Sequence, residues 1–197
     1  MIVPGGLILA LLGSNLWDCY KQALKEYSNV SVFNMDIAEA EADAIVNAAN
    51  GWGYMGGKKA RDGLLHGVAE SLNRSTDGKM ETYCTQKARR FAHIPSFILG
   101  KSTGEIFTSP SFGLKCKEVI HAVTMHTPGG RSSEKTVIIL LNSIFKYCRE
   151  AGYRTVAMPL LGAGTGGLVK FKVLYITKQT AMLFPELSVY VYTYDID

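Results

Sequence analysis

The sequence predicts an α/β fold in three layers, a mixed central sheet with helices on both faces. Short apolar runs alternate with longer segments whose apolar residues recur at helical spacing. The two most glycine-rich stretches each follow such a run, where an open α/β sheet places its ligand-facing loops. No internal repeat, low-complexity tract or linker divides the 197 residues, so a single domain over 1–197 is expected.

Each element has its own signal. Leu7 to Leu12 is a continuous apolar run between glycines, the pattern of a strand buried on both faces. It lacks a basic flank and is too short to span a bilayer, so it reads as a strand and not as a signal peptide or membrane segment. Asn15 can cap a following helix in which Leu16, Cys19, Tyr20, Ala23 and Leu24 share a face. Val30 to Phe33 is a short strand, and Asp43 to Val46 is another that runs into Asn47-Ala48-Ala49-Asn50. A glycine-rich loop over 51–57 and a helical region from Lys58 to about Arg90 follow. Extended pieces occupy 97–112, with turns at Gly100-Lys101 and Ser109-Pro110; Val119 to Val123 is a strand, and Thr127-Pro128-Gly129-Gly130 a turn. Ser133 opens an amphipathic helix to Glu150 that places Val137, Leu140, Leu141, Ile144, Phe145 and Cys148 on one side. Thr155 to Met158 is a strand, Pro159 to Leu168 the second glycine-rich loop, and a helix from Lys170 to about Leu183 precedes a last strand, Val189 to Thr193.

Composition narrows the function classes. With 47% hydrophobic and 19% charged residues the chain is globular, not disordered. A net charge of +4 favours anionic ligands but falls short of a dedicated nucleic-acid binder, and the basic run Lys87, Arg89, Arg90 has no interleaved aromatics and reads as a solvated face. Cys19, Cys84, Cys116 and Cys148 stand apart, without zinc spacing, so four reduced thiols in a cytoplasmic protein and no metal are expected. His121 lies inside a strand and reads as structural, while His126 follows the strand's end, where a ligand could lie.

The chemistry concentrates in the two loops. Gly162-Ala163-Gly164-Thr165-Gly166-Gly167 lacks side chains at most positions, so its backbone N–H groups can approach a diphosphate, and the next helix adds its positive end. No Gly-Lys-Ser/Thr follows, which argues against triphosphate hydrolysis, and no downstream ribose-binding acid marks a dinucleotide fingerprint. Asn47 and Asn50 join a buried strand to the first loop and offer donors and acceptors suited to ribose hydroxyls. A glycine turn that only packs strand on helix is the plainer reading of either loop alone; two at strand ends point to a ligand.

These residues, in this order, resemble macro domains. The resemblance rests on Asp36-Ile37, Asp43 through Asn50, Gly56-Gly57, Val119 through Val123 and Pro159 through Gly167, and spans roughly 30–195. It implies a site for ADP-ribose, free or attached to a macromolecule, with no cofactor. Within it Asp36 would accept a hydrogen bond from the adenine amino group beside Ile37. Asn50 would contact the distal ribose, and Gly56 and Gly57 would belong to the first ligand-facing loop. Gly162 to Gly167 would wrap the diphosphate, with Tyr194 against the adenine. The Tyr54-Met55-Gly56-Gly57 stretch, with Ala122 through Met125 and then Pro128, is similar to macro-like proteins of phage and prophage genomes.

The chain departs from the family in two places. Gly166 stands where an aromatic usually flanks the distal ribose, and Lys58-Lys59 follow the first glycines where hydrolases of the family place an acid or a histidine. The lysines resemble a subgroup whose enzymes free ADP-ribose from glutamate or DNA bases. A neutral lysine could attack the ribose anomeric carbon with Asp62 moving the proton. The residues therefore leave open a binding module, a hydrolase or phosphatase acting on ADP-ribose derivatives through Lys58, Lys59 and Asp62, and an interaction protein that binds no nucleotide.

Overall fold

The computed structural model describes residues 29–193. The strand expected over Leu7–Leu12, the helix after Asn15, Cys19 and Tyr194 lie outside these residues. Six strands form one mixed sheet: β1 (Val30–Phe33), β2 (Ala44–Asn50), β3 (Ile106–Pro110), β4 (Glu118–Met125), β5 (Thr155–Pro159) and β6 (Ser188–Tyr192). Their order is β1-β6-β5-β2-β4-β3, parallel throughout except where β3 pairs antiparallel with β4 at one edge. Five helices, α1 (Gly57–Arg61), α2 (Val68–Ser75), α3 (Lys79–Lys87), α4 (Glu134–Glu150) and α5 (Lys170–Ala181), connect them.

Alternation along β2 divides the core. Ala44 and Val46 face Leu140, Leu141, Ile144 and Phe145 of α4, with Val173 of α5. Ile45 faces the other way, toward Leu72 of α2 and Met80 and Cys84 of α3. A strand covered on both faces must be apolar on both, which is why β2, β4 and β5 read as unbroken runs in the sequence.

At the N-terminal end of the sheet, Asp43 accepts from the backbone N–H groups of Arg154 (2.7 Å) and Thr155 (3.0 Å), and the Lys117 ammonium lies 2.9 Å away. Chiefly the Lys117 hydrogen bond, then the Arg154 amide, hold its carboxyl well below the usual carboxylate range. Ser133 caps α4 as expected, its hydroxyl accepting from the Thr136 N–H at 3.1 Å, a contact that contributes about 1 kcal/mol.

Two boundaries differ from the sequence reading. β2 runs through Asn50 instead of stopping at Val46, because Asn47, Ala48 and Ala49 continue to pair with β4, with a register shift after Ala49. The helical region of 58–90 is three helices, not one. Gly63 and Gly78 adopt left-handed backbone (φ 73° and 76°) between them, a conformation that ends a helix. Arg90 is not merely a solvated cation: its guanidinium donates to Ser102 Oγ (2.9 Å) and to Glu105 (2.5 Å).

Candidate functional site

The carboxyl ends of β1, β2, β4, β5 and β6 open into one cleft of two joined lobes, of 370 and 300 Å³. His66, Gly67, Val68, Pro159, Leu160 and Gly164 line both lobes and form the waist between them. The position follows from the topology, since parallel strands deliver their loops to one end of the sheet.

The first lobe is mostly apolar, with Met35, Ile37, Val68 and Tyr192 in its wall and Asp36, His66, Ser71, Arg74, Lys170 and Thr193 as its polar groups. Asp36 leaves β1 and caps the 3-10 turn Ile37–Glu39, accepting from the Ala38 N–H at 2.9 Å. Ser71 of α2 donates its hydroxyl to the same carboxylate at 2.6 Å, and the Arg74 guanidinium stands 3.9 Å from Oδ2. A carboxylate offers about four acceptor positions, so these partners fix its orientation and leave acceptor capacity facing the lobe.

The second glycine loop forms the floor of the waist and of the second lobe. Its internal hydrogen bonds run from Ala163 to Leu160, Gly167 to Gly164 and Leu168 to Gly162. The loop is tied from outside by the Ser132 N–H, which donates to the Gly166 carbonyl at 3.1 Å. The N–H groups of Gly164, Thr165 and Gly166 donate to no group among the described residues. A Cβ on Gly166 would lie 2.5 Å from the Gly162 carbonyl oxygen, so the loop closes on itself only without a side chain there. This spacing explains the missing aromatic at position 166. Gly167, at φ 77°, turns the chain toward Leu168 and lies outside the lining.

The second lobe is lined by Asn50, Tyr54, Glu70, Thr124, Thr165 and glycines. Asn50 is already engaged with its own loop. Its Oδ1 accepts from Trp52 (3.1 Å) and Tyr54 (3.2 Å), and its Nδ2 donates to the Tyr54 carbonyl at 2.8 Å. Beneath the loop, buried Glu81 accepts from the Met55 N–H (2.7 Å), the Gly57 N–H (3.0 Å) and Asn73 Nδ2 (3.1 Å). The first glycine loop thus spends its amides on the protein.

Several expected site residues are not brought to the cleft. Asn47 is 1% exposed, because strand alternation turns it with Ile45 into the core. There its amide donates to His121 Nδ1 at 3.1 Å. Gly56 and Gly57 do not line either lobe. Lys58, Lys59 and Asp62, the catalytic candidates, lie on or just past α1 and are also absent from the lining. The Lys58 side chain is 78% exposed and ion-pairs with Asp62 one helical turn on. His126 is exposed beside Gly51 and does not line the cleft either. His121 is fully buried, stacked on Phe107, with its pKa lowered to about 3 by burial. Cys84 and Cys148 are buried thiols pushed up by desolvation, the latter to about 12, far from the thiolate form a nucleophile needs.

Conversely, Gly67, Val68 and Glu70 belong to the cleft and were not singled out from the sequence. Their signal was weak but present: Gly67 precedes a helix whose Val68 and Leu72 are four apart, the pattern of a helix start at a ligand-facing loop. Among the described residues, no group of three or more His, Cys, Asp and Glu side chains is placed to hold a metal ion. No helix among them is long and apolar enough to cross a membrane.

The sequence profile of the Macro domain matches residues 46–177, which carry β2 through most of α5. The chain belongs to the macro domain family. A protein of Aquifex aeolicus is 32% identical over 142 residues, 72% of this chain and 74% of that one. One of Aeropyrum pernix is 33% identical over 133 residues, 68% of this chain, but the match spans only 60% of the Aeropyrum protein's length. Solved macrodomains share the fold. That of Mycobacterium tuberculosis DarG superposes with a TM-score of 0.68 at 21% identity, covering 84% of this chain and 98% of its own. The Oceanobacillus iheyensis macrodomain, solved with ADP, gives 0.67 at 18% identity, covering 85% and 84%. The Trypanosoma brucei macrodomain, solved with ADP-ribose, gives 0.61 at 20% identity, covering 83% and 62%.

Proposed function

We propose that the cleft binds ADP-ribose, free or attached to a macromolecule. The observation that carries this reading is the row of N–H groups at Gly164, Thr165 and Gly166, which donate to nothing among the described residues and belong to a loop that lines the cleft, Gly164 at the waist and Thr165 and Gly166 in the second lobe. Unpaired amides in succession are the backbone's own anion site, and their position suits a diphosphate with a group on either side. The apolar first lobe, with the Asp36 carboxylate at its edge and Ile37 beside it, suits a purine whose amino group donates. The second lobe, walled by Asn50, Tyr54, Thr124 and Thr165, suits a ribose. That macrodomains of the same fold have been solved with ADP and with ADP-ribose supports the choice of ligand.

Binding without turnover is the reading favoured over a lysine-driven hydrolase, because Lys58 and Asp62 pair with each other in solvent. Isothermal titration with ADP-ribose, and with AMP and ATP as controls, tests the proposal. Affinity in the micromolar range for ADP-ribose, and at least about tenfold weaker binding of the controls, is expected. Equal heats for all three would overturn it.

A further inference from the structure

We infer that Glu70 makes the second lobe selective for an uncharged distal end, so that the ligand is ADP-ribose with a free hydroxyl or a neutral linkage and not ADP-ribose carrying an anomeric phosphate. The inference rests on the proposed binding of ADP-ribose and adds the class of ligand that the site accepts. Three observations support it. Glu70 lines the second lobe, and no lysine or arginine among the described residues does so; Arg74 and Lys170 both line the first. The other titratable groups of the second lobe are Tyr54 and His66, and His66 sits at the waist.

The Glu70 side chain also occupies space that two glycines leave open. A Cβ on Gly56 would lie 2.9 Å from Glu70 Cγ, and one on Gly67 would collide with the Glu70 carboxylate. Gly56, expected from sequence to face the ligand, instead makes room for the stem of an acid that does. The carboxylate therefore rests over Gly67, at the start of α2. A phosphate added at the far end of the ligand would bring about two further negative charges into a lobe that already holds one and offers no cation to offset them.

The test is a pair of titrations on the same protein, with ADP-ribose and with ADP-ribose phosphorylated on the anomeric carbon of its distal ribose, repeated on Glu70→Gln. The parent protein is expected to bind the phosphorylated form about tenfold or more weakly, and Glu70→Gln to bring the two within about threefold. Glutamine keeps the shape of the side chain, and an unchanged melting temperature checks that the fold is retained. Should the parent bind both forms equally, or the ratio persist in Glu70→Gln, the selectivity assigned to Glu70 is wrong while ADP-ribose binding stands. If neither form binds the parent, the binding proposal itself falls, and this inference with it.

Discussion

Asp36 answers to the protein and to the ligand at once. Its carboxylate caps a turn and takes the Ser71 hydroxyl, and its remaining acceptor capacity faces the first lobe. Asp36→Ala is expected to weaken ADP-ribose binding about tenfold or more, since a charged hydrogen bond contributes about 1.5–3 kcal/mol. Titration calorimetry of the variant checks this, and parental affinity would remove Asp36 from the site. The exposed lysines lead to the opposite expectation. Lys58→Ala and Lys59→Ala should leave affinity within about twofold, because an exposed ion pair contributes little. At this scale the sequence was informative where a residue type is costly to misplace: an acid after a strand, glycines in a closed loop. It was misleading for Asn47, because an asparagine in a loop and one in a buried strand look alike until strand alternation is known. Only the pairing of Asn47 with His121 across β2 and β4 settles its place.

The two glycine loops turn out to differ in kind. The second lines the cleft and leaves the amides of Gly164, Thr165 and Gly166 without an acceptor among the described residues, and the first directs its amides to Glu81 and Asn50. Gly166→Ala should therefore cost binding by opening the loop while the sheet and helices stay folded, since its Cβ would meet loop backbone at 2.5 Å and push the amides out of line. A tenfold or greater loss of affinity with a melting temperature within a few degrees of the parent is expected. Glu81→Ala should do the reverse of a local change and destabilise the chain by about 2–4 kcal/mol, measured by denaturant unfolding, because two backbone donors and an amide lose a buried acceptor. None of this division was legible in the sequence, where both loops are simply glycine-rich. The partner that separates them, Glu81, lies 24 residues from Gly57 in the chain, and nothing local announces the contact. The helices between 57 and 87 were visible only as one region, because exposed polar residues obscure the breaks that Gly63 and Gly78 make.

Over the whole molecule, the alternation of apolar runs and amphipathic segments was enough to give the three-layer plan. Burial on both faces of the sheet is what writes those runs into the sequence. The fold also carries its own pH dependence. His121 is buried with its pKa lowered to about 3, against an ordinary value near 6.5, so the unfolded chain takes up a proton that the native one does not. Stability is therefore expected to fall as pH drops below about 6.5, by about 2 kcal/mol between pH 7 and pH 5. Asp43, held below the ordinary carboxylate range by Lys117 and the Arg154 amide, contributes stability above about pH 4 and loses it as pH falls further. Denaturant unfolding at pH 7 and pH 5 checks the first window. A His121→Gln protein should be less stable at pH 7 but lose less on acidification. An unchanged loss would place the titrating group elsewhere.

The cleft itself is tested most directly by following the backbone amide resonances during addition of ADP-ribose. The largest shifts are expected at Gly164, Thr165 and Gly166, with further shifts at Ile37 and Val68 and none at Lys58 or Lys59. Shifts centred on the Lys58–Asp62 helix, or none anywhere along the second glycine loop, would contradict the binding site described here.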